Sequence, residues 1–495
     1  MTRLNRRDAL KEVGTRAGAV AAVFAGRDAF WQHFGKPEPA EFAQSQARRG
    51  LPPLKITDVK VIRSQVGGNQ LLNVKVYTSE PGLYGVGDGN HAERVSIVAA
   101  NIEKFLKPMI VGRNADEIED IWQTAFVSTY WRSAVDANNA MAAIDGALWD
   151  IAGKRANMPV YNLLGGRVRA GSRMMTGANT SSPQALEDSI RESMSHGYQH
   201  FRFGGLSNPN SPLDAMNQKA AATAAQLLGR GGGGGRGGGG AADDNGGGAA
   251  AGRGGRGSGG GRGGGGGVNV GRTTDAVYID RLVKAYDHVR KTIGFEIEIG
   301  TDVHNAVSPG GALRLANAVE QYRPFFVEDL FTVDDWEWYK RLREESSIGI
   351  AMGETFTHRL EWLPLVEEHL MDYFRGHISA IGGLNMARKV AMLCEVYGVK
   401  TAWHGPANVS PIGHCINLHV DLSSFAFGIG EGGNFSDQLK ELYPGLPEIR
   451  DAVRYPNENP GLGVDINETV AARYVPREPG ENRGSRGFDG DPKRP

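Results

Sequence analysis

Three acidic residues lie at regular intervals in the second half of the chain. Asp302 occurs in GTDVHN, Glu328 in FFVEDL and Glu354 in AMGETF, and 26 positions separate each acid from the next. This interval fits one strand plus one helix, so neighbouring parallel strands would each end on a carboxylate. Three oxygen ligands with open coordination positions suit Mg²⁺. We therefore expect Asp302, Glu328 and Glu354 to bind one Mg²⁺ ion.

Two histidines could transfer protons beside this metal site. His304 lies two residues after Asp302, so in an extended segment both side chains leave on the same face. His404, in TAWHGPANVSP, ends a later strand candidate and would face the site from the other side. An imidazole titrates near neutral pH, which suits general acid or base catalysis. The same alternation predicts that Glu296 and Glu298 also point inward.

The elements that would position these residues alternate between short strands and helices. Eight strand candidates predict an α/β fold with a (β/α)8-type barrel over residues 171–430. A doubly wound sheet is the rival, but it would need a Gly-rich dinucleotide-binding turn after an early strand, and the sequence has none. Before the barrel, residues 54–170 contain three alternating segments and three helical patterns, which predict an α+β domain. The strand candidates are SRMMTGAN, QHFRFGG, FEIEIGTDVH, PFFVEDL, IGIAMGE, MDYFRGH, KTAWHGP and FAFGIGE.

Composition argues against a protein whose whole surface binds nucleic acid. The 495 residues include 55 Lys and Arg against 56 Asp and Glu, so the net charge is only −1. A Gly/Arg-rich tract over 229–272 is the exception, with six arginines and no aromatic residue. Because it has so little apolar surface to bury, it is predicted to be a disordered insertion in a barrel loop. A single-strand-binding arm is the alternative, but such arms also use aromatic stacking, so we expect no nucleic-acid partner.

The two ends of the chain predict targeting and disorder. Residues 1–50 form a leader in which Arg6 and Arg7 precede a mildly apolar stretch, and this resembles a bacterial twin-arginine export signal. Such a signal predicts an exported or periplasmic protein. The alternative is a basic, disordered N-terminus on a cytoplasmic protein, because Arg16 interrupts the apolar stretch. No run of eighteen apolar residues occurs, so we expect no membrane span, and 476–495 predict a disordered tail.

Several longer motifs resemble one known family. With the three spaced acids, they resemble the enolase superfamily in its mandelate racemase/muconate lactonizing branch, and most of all its D-mannonate dehydratase group, which includes the starvation-sensing proteins. The resemblance implies a capping domain that the C-terminal segment 431–475 completes, one Mg²⁺, a sugar-acid substrate bound through its carboxylate, and a homo-oligomer. The motifs are EIEDIWQ, TYWR, AIDGALWDIAGK, VYNLLGG, HGPANVSP and PGLGVDINETVAARY.

The resemblance also implies a reaction and roles for single residues. A proton beside the substrate carboxylate would be removed, and the β-hydroxyl would then leave with the help of a general acid, which His304 matches. Glu431, in FGIGEGG, matches a family acid near the substrate. Arg202 stands where related racemases carry a lysine, and an arginine is effectively never deprotonated. Arg202 and Asn179 are therefore predicted to bind substrate rather than to act as the base.

The catalytic base is where this chain departs from the family pattern. Mannonate dehydratases have a tyrosine where this chain has Met175, and methionine cannot transfer a proton. His404 is then the predicted base. Three interpretations stay open. The protein is a lyase that dehydrates another sugar acid with His404 or His304 as base, a metal-binding homologue with little catalysis, or an RGG-type nucleic-acid-binding protein on the same scaffold.

Overall fold

The first sheet of the fold is an antiparallel meander of three strands, β1 (Ile56–Val66), β2 (Asn69–Thr78) and β3 (Tyr84–Asp88). Buried and exposed residues alternate along much of β1, as expected when one face of a sheet packs on a core. Gly67 and Gly68 connect β1 to β2, and both have positive φ, which glycine adopts without steric cost. The three alternating segments predicted from the sequence therefore form one sheet.

The computed structural model describes residues 53–90, 94–128, 130, 132–207 and 274–476. The predicted leader and the predicted Gly/Arg-rich insertion lie outside these ranges, as does the predicted tail from residue 477 onward.

A long central helix, α4 (Val135–Ala156), joins the first sheet to the rest of the described structure. Its buried residues lie on all sides of the helix, which is typical of a helix enclosed in a core. On one side it packs against β3, where a Cβ on Gly87 would lie 1.8 Å from the carbonyl oxygen of Ala143. Only glycine allows this approach. The helices of this capping domain are α1 (Val95–Asn101), which continues through a π-helical turn (Ile102–Leu106) into α2 (Lys107–Ile110), then α3 (Ile118–Ser128), α4 (Val135–Ala156) and α5 (Val160–Leu163).

Seven parallel strands form the sheet that carries the site. They pair in sequence order, and two isolated parallel pairs, Thr401 with Phe427 and Met174 with Gly430, close the sheet into a barrel. The eighth predicted strand is thus reduced to these two contacts. The first predicted strand is divided, because β4 (Ser172–Arg173) pairs antiparallel with a C-terminal strand. The barrel strands are β5 (Thr176–Gly177), β6 (His200–Arg202), β7 (Glu298–Asp302), β8 (Phe326–Glu328), β9 (Ile350–Met352), β10 (Tyr373–Phe374) and β11 (Lys400–Thr401).

Serine followed by proline begins three of the barrel helices. The side chains of Ser182, Ser308 and Ser410 each accept a hydrogen bond from a backbone N–H in the first turn, and proline follows each serine directly. This combination satisfies a free N–H and presets the helical φ angle. The helices are α6 (Pro183–Ser195), α7 (Asp275–Thr292), α8 (Pro309–Glu320), α9 (Glu337–Glu345), α10 (Arg359–Glu367), α11 (Leu384–Tyr397) and α12 (Pro411–Ser423).

Glu296 and Glu298 do not point into the barrel core. Both are exposed, because β7 begins only at Glu298, at the end of the strand opposite the site. The prediction of inward-facing side chains was wrong here, since Glu296 precedes the strand and Glu298 is its exposed first residue.

The C-terminal segment returns to the capping domain, as the resemblance implied. The carbonyl of Tyr474 accepts a hydrogen bond from the N–H of Gln65 in β1, and Lys75 of β2 lies 3.4 Å from Glu468. Within the described ranges, no helix has both the length and the apolar character needed to cross a membrane. The segment contains α13 (Asp437–Leu442), β12 (Glu448–Arg450), β13 (Val453–Tyr455) and α14 (Glu468–Ala471).

Candidate active site

A cavity of about 370 Å³ opens between the capping domain and the barrel. The β1–β2 hairpin forms one wall, and the ends of the barrel strands and the loop after the eighth strand position form the others. Such a position, at the carboxyl ends of barrel strands, is where active sites of this architecture lie. The lining residues that matter below include Asn69, Met175, Thr176, Arg202, Glu431, Asn434, Ser436 and Gln438.

Two of the predicted metal ligands are brought together by strand register. Asp302 and Glu328 are the last residues of β7 and β8, and they lie opposite each other in the parallel ladder. Asp329, the next residue, joins them, so that one oxygen from each of the three acids lies within 4.8 Å of the others. All three acids are buried. Asp329 is not among the ligands that the sequence predicted, although it directly follows one of them.

The third predicted ligand, Glu354, is linked to this group through a histidine. His304 Nδ1 lies 3.2 Å from Asp302 Oδ1, and His304 Nε2 lies 3.2 Å from Glu354 Oε1. The other oxygen of Glu354 lies 2.9 Å from His404 Nε2. Both predicted catalytic histidines therefore contact the same carboxylate, and Glu354 stays a predicted ligand of the cation.

Glu328 is one member of a closed ring of four charged side chains. Arg202 donates to Glu328 over 2.7 Å and also to Glu431, while Arg375 donates to Glu431 over 2.6 Å and also to Glu328. These four residues follow or end the second, fourth, sixth and eighth strand positions. In barrels of this kind, alternate strands contribute one layer of four side chains, and that layer is usually apolar. Here the layer is made of alternating cations and anions.

Arg202 belongs to this ring, and its role in binding substrate stays a prediction. Its side chain is 7% exposed, and its guanidinium binds Asp302 as well as the two glutamates. Arg202 lines the cavity, but its donors are directed to carboxylates of the protein. Arg375 was not predicted as a site residue, although the sequence shows an arginine within the sixth strand candidate, MDYFRGH. It is fully buried, and one of its nitrogens also donates to the carbonyl of Ala402 over 3.0 Å.

The two histidines differ in exposure and in electrostatic surroundings. The side chain of His304 is 47% exposed, and its hydrogen bond with Glu354 raises its pKa to about 10, so it carries a proton at neutral pH. His404 is only 11% exposed. Its Nδ1 lies 3.0 Å from Nδ1 of His377, and one of the two imidazoles must donate to the other. His377, which follows Arg375 by two residues, therefore helps to orient His404.

Burial raises the pKa values of the carboxylates of the site, whereas neighbouring cations lower them. Burial and then the neighbouring Glu328 raise the pKa of Asp302 to about 7. Burial also raises the pKa of Asp329 well above its usual range. Burial would raise the pKa of Glu354 too, but His404 and His304 hold it below the usual range, and Arg202 and Arg375 do the same for Glu431.

The donor set fits a hard divalent cation. The three acids that converge offer only oxygen, which Mg²⁺ prefers. In addition, Oδ1 of Asp329 is buried and has no hydrogen-bond partner in the described part of the chain. A buried carboxylate oxygen in that state needs a partner, and a cation would supply it.

Two further predicted positions lie apart from these acids. Asn179 is exposed, and its side-chain oxygen accepts a hydrogen bond from the N–H of Ser181. It supports a local turn before α6, and its substrate-binding role stays a prediction. Met175 is 4% exposed and packs against Phe326 and Ala402 in the barrel interior. It lines the cavity as an apolar group.

The sequence comparisons agree with this architecture. Residues 48–165 match the family of mandelate racemase / muconate lactonizing enzyme N-terminal domains, and residues 263–470 match the enolase C-terminal domain-like family. A D-galactonate dehydratase family member of Pantoea ananatis, RspA, is 40% identical over 426 residues, which cover 85% of this chain and 94% of that protein. A D-galactonate dehydratase family member of Enterocloster bolteae is 36% identical over 421 residues, covering 85% and 94%.

Solved structures give the same result. An enolase from Pantoea ananatis, with bound D-gluconate and Mg, is 38% identical and has a TM-score of 0.74, with 89% of this chain and 100% of that chain covered. A mandelate racemase/muconate lactonizing enzyme from Sulfitobacter shares the fold at 21% identity, with a TM-score of 0.68 and coverage of 87% and 97%. The chain belongs to the mandelate racemase/muconate lactonizing branch of the enolase superfamily, within the D-galactonate dehydratase family.

Proposed function

We propose that this protein is a Mg²⁺-dependent hydro-lyase that dehydrates a sugar acid. The observation that carries this proposal is the convergence of buried carboxylates and two histidines. Arg202 connects them to the cavity of about 370 Å³, because it lines that cavity and binds Asp302 and Glu328. The relatives support it, because they are named as D-galactonate dehydratase family members, and a similar enolase binds D-gluconate and Mg.

Asp302, Glu328 and Asp329 would hold the cation, with Glu354 as the further predicted ligand. When bound, the cation supplies positive charge that stabilises a substrate carboxylate while the proton beside it leaves. The ring of Arg202, Glu328, Arg375 and Glu431 keeps Glu328 in a fixed orientation, since each of its oxygens is already bound by one guanidinium. The cation site is thus preorganised by the barrel.

The two histidines have complementary positions for the elimination of water. His404 would accept the proton from the carbon beside the substrate carboxylate, and to do so it must release Glu354 or His377. His304, which carries a proton, would give it to the hydroxyl that leaves from the next carbon. One proton is taken and one is given, so the products are water and an enol that converts to a 2-keto-3-deoxy acid.

The cavity wall suits a polyhydroxylated chain. Uncharged hydrogen-bonding side chains line it on several sides, and each can pair with a hydroxyl group as donor or acceptor. They come from the hairpin of the capping domain, the first barrel strand and the loop after the eighth strand position. These side chains are Asn69, Thr176, Asn434, Ser436 and Gln438.

The identity of the sugar acid depends on Met175. This side chain cannot transfer a proton, and it packs with Phe326 and Ala402 in the barrel interior, so it cannot take the place of the tyrosine that mannonate dehydratases use. We therefore propose a sugar acid other than D-mannonate, with His404 as the base. A metal-binding homologue with little catalysis is the outcome if no acid is converted.

The test is a screen of aldonic acids, including D-gluconate, D-galactonate and D-mannonate, with purified protein and MgCl₂. Formation of a 2-keto-3-deoxy acid should be detected by NMR, should stop with EDTA and should return with Mg²⁺.

His304→Asn and His404→Asn should each lower kcat about 10²–10⁴-fold while Mg²⁺ still binds. His196→Asn, a change at the exposed histidine that directly follows α6, should have no effect. Failure to convert any acid would leave the binding-only interpretation, and full activity of His404→Asn would remove it as the base.

Other features stay proposals with separate tests. We propose that the chain forms a homo-oligomer, which sedimentation can measure. We propose export through Arg6 and Arg7, which cell fractionation of an Arg7→Lys variant can test. We also propose that the tract 229–272 is dispensable for activity, and RNA binding that disappears on its deletion would instead support the nucleic-acid interpretation.

A further inference from the structure

Arg454 is a buried cation without an acidic partner. It lies in β13, the central strand of the small antiparallel sheet that β13 forms with β4 and β12, and it is only 3% exposed. The two guanidinium groups of the ring, on Arg202 and Arg375, both pair with carboxylates. Among the described residues, none offers Arg454 a carboxylate as a direct partner. An unpaired buried charge costs free energy, so the contacts that Arg454 makes instead indicate why a cation is buried there.

Three residues that Arg454 contacts line the cavity. Its Nη2 donates a hydrogen bond to the carbonyl oxygen of Gly433 over 3.0 Å, and its Nη1 lies 3.4 Å from Nδ1 of His414. The guanidinium carbon lies 5.5 Å from the centre of the Phe435 ring, within the range of a cation–π contact. Gly433, His414 and Phe435 all belong to the lining of the cavity of about 370 Å³, whereas Arg454 does not. Arg454 therefore supports the cavity wall from behind.

His414 is a neutral member of this arrangement. Burial and then the nearby Arg454 lower the pKa of His414 to about 3, so the imidazole is uncharged at neutral pH. Because a guanidinium can only donate, Nδ1 of His414 must accept the hydrogen bond, and the ring proton is on Nε2. The His414 ring also packs against the Phe435 ring, with the two centres 5.6 Å apart and the planes at 70°. The cation, the imidazole and the phenyl ring thus form one packed cluster.

The segment 432–436 depends on this cluster for its position. All five residues line the cavity, and none of them belongs to a helix or strand. A Cβ on Gly432 would lie 2.8 Å from Cε1 of His414, so the segment and the cluster are in close contact. Within the described structure, the bond from Arg454 to Gly433 is the only hydrogen bond of the first four residues of the segment. A segment with two consecutive glycines and so few bonds would change conformation readily without it.

We propose that Arg454 is a positioning residue for substrate binding, which fixes the segment 432–436 so that Asn434 and Ser436 can bind hydroxyl groups of the sugar acid. This inference rests on the proposed function, because it takes the cavity wall to be the surface that binds the sugar chain. Arg454 does not itself touch the substrate. It acts through the three wall residues that it contacts.

The first test separates KM from kcat for an acid that the wild type converts. Arg454→Met removes both hydrogen bonds but keeps much of the volume of the side chain. We expect KM to rise about 5–30-fold while kcat changes less than about 3-fold, because contacts with the sugar hydroxyls act equally in the bound state and the transition state. A purely structural role would instead lower the fraction of active enzyme, and therefore kcat, at unchanged KM. That result would overturn the inference.

Arg169→Met is the matched control. Nη1 of Arg169 also donates to two backbone carbonyls, those of Asp421 and Ser424, and its guanidinium lies 4.8 Å from the centre of the Phe427 ring. None of these residues lines the cavity, so the control should keep the wild-type KM, and an equal rise in KM would overturn the inference. Arg454→Lys keeps the charge but not the planar fork of donors, so we expect an intermediate KM. It replaces Arg454→Met in both tests if that variant does not fold.

The second test needs no substrate. Crystal structures of the wild type and of Arg454→Met in the same crystal form should differ at the Gly433 carbonyl by about 1 Å or more, a displacement large enough to disturb binding. A segment 432–436 that superposes on the wild type would overturn this inference and leave the proposed function intact. If the wild type converts none of the screened acids, the proposed function fails, and the comparison of crystal structures still decides whether Arg454 fixes the wall.

Discussion

Replacing Arg375 with methionine should destabilise the metal-free protein by about 3–5 kcal/mol. Arg375 is fully buried, and it binds one oxygen of Glu328, one oxygen of Glu431 and the carbonyl of Ala402. Methionine fills much of the same space but removes the donors to these three acceptors, and Arg202 alone then compensates the charges of Glu328 and Glu431 within the ring. Removing one partner of a buried ion pair typically costs this amount, because the remaining charge stays desolvated.

The corresponding shift in melting temperature follows from the size of the folded region. The entropy of unfolding is about 2.1 cal/mol/K per residue, so the roughly 350 residues that the structure describes give a total of about 0.7 kcal/mol/K. A destabilisation of about 3–5 kcal/mol then lowers the melting temperature by about 4–7 °C. Scanning calorimetry in EDTA measures it. Arg375→Lys, which keeps the charge but loses the fork of donors, should show an intermediate drop.

A surface ion pair provides the control for this measurement. Arg473 binds Glu441, and both side chains are more than half exposed. Arg473→Met should therefore change the unfolding free energy by less than about 1 kcal/mol. Saturating Mg²⁺ should stabilise Arg375→Met more than the wild type, since the cation compensates Glu328. If the melting temperature of Arg375→Met lies within about 1 °C of the wild-type value, the ring does not stabilise the barrel.

Two further predictions concern the capping domain. Burial raises the pKa of Asp88 to about 7, above its unfolded value, so the protein should lose stability as the pH rises from about 4 to about 7. Asp88→Asn should remove up to about 4 kcal/mol of that loss in unfolding free energy. Urea unfolding at pH 5 and pH 8 measures it for both proteins. An equal loss between these pH values in the wild type and in Asp88→Asn would contradict the prediction. Gly87→Ala would place a Cβ 1.8 Å from the carbonyl oxygen of Ala143, so we expect a loss of about 3 kcal/mol or more in urea unfolding. Gly310→Ala, whose nearest neighbour is 3.6 Å away, should change stability by less than about 1 kcal/mol.

The barrel and the positions of its acids were predictable because they depend on local patterns. Apolar strand candidates alternate with helices, and parallel pairing then brings Asp302 opposite Glu328 without any further information. The predicted fold class and superfamily are both confirmed. The length of each strand was not predictable, because strand pairing depends on the neighbouring strands of the sheet. The eighth strand position, for example, makes only two isolated pairs in the described structure.

The contacts around the acids could not be predicted from the sequence. Arg375 and Glu431 are 56 positions apart, and their pairing arises only when the sixth and eighth strand positions are both in place. Asp329 lies with Asp302 and Glu328 where the backbone has a positive φ of 49°, which the residue types around it do not indicate. Residue type and spacing identify candidates for chemistry, but partner choice among buried charges is a property of the assembled interior.

The ring of charges has a consequence for how the chain reaches its native state. Arg202 and Glu431 are separated by 229 positions, so their contact can form only after nearly the whole barrel has been synthesised and brought together. Contacts between such distant positions are slow to form, because closing a long loop costs entropy before any contact compensates it. A chain that ends before Glu431 would leave Arg202 and Arg375 with too few carboxylate partners in an apolar interior. Partial barrels should therefore stay open and hydrated, and folding should reach completion only when the last strand position docks.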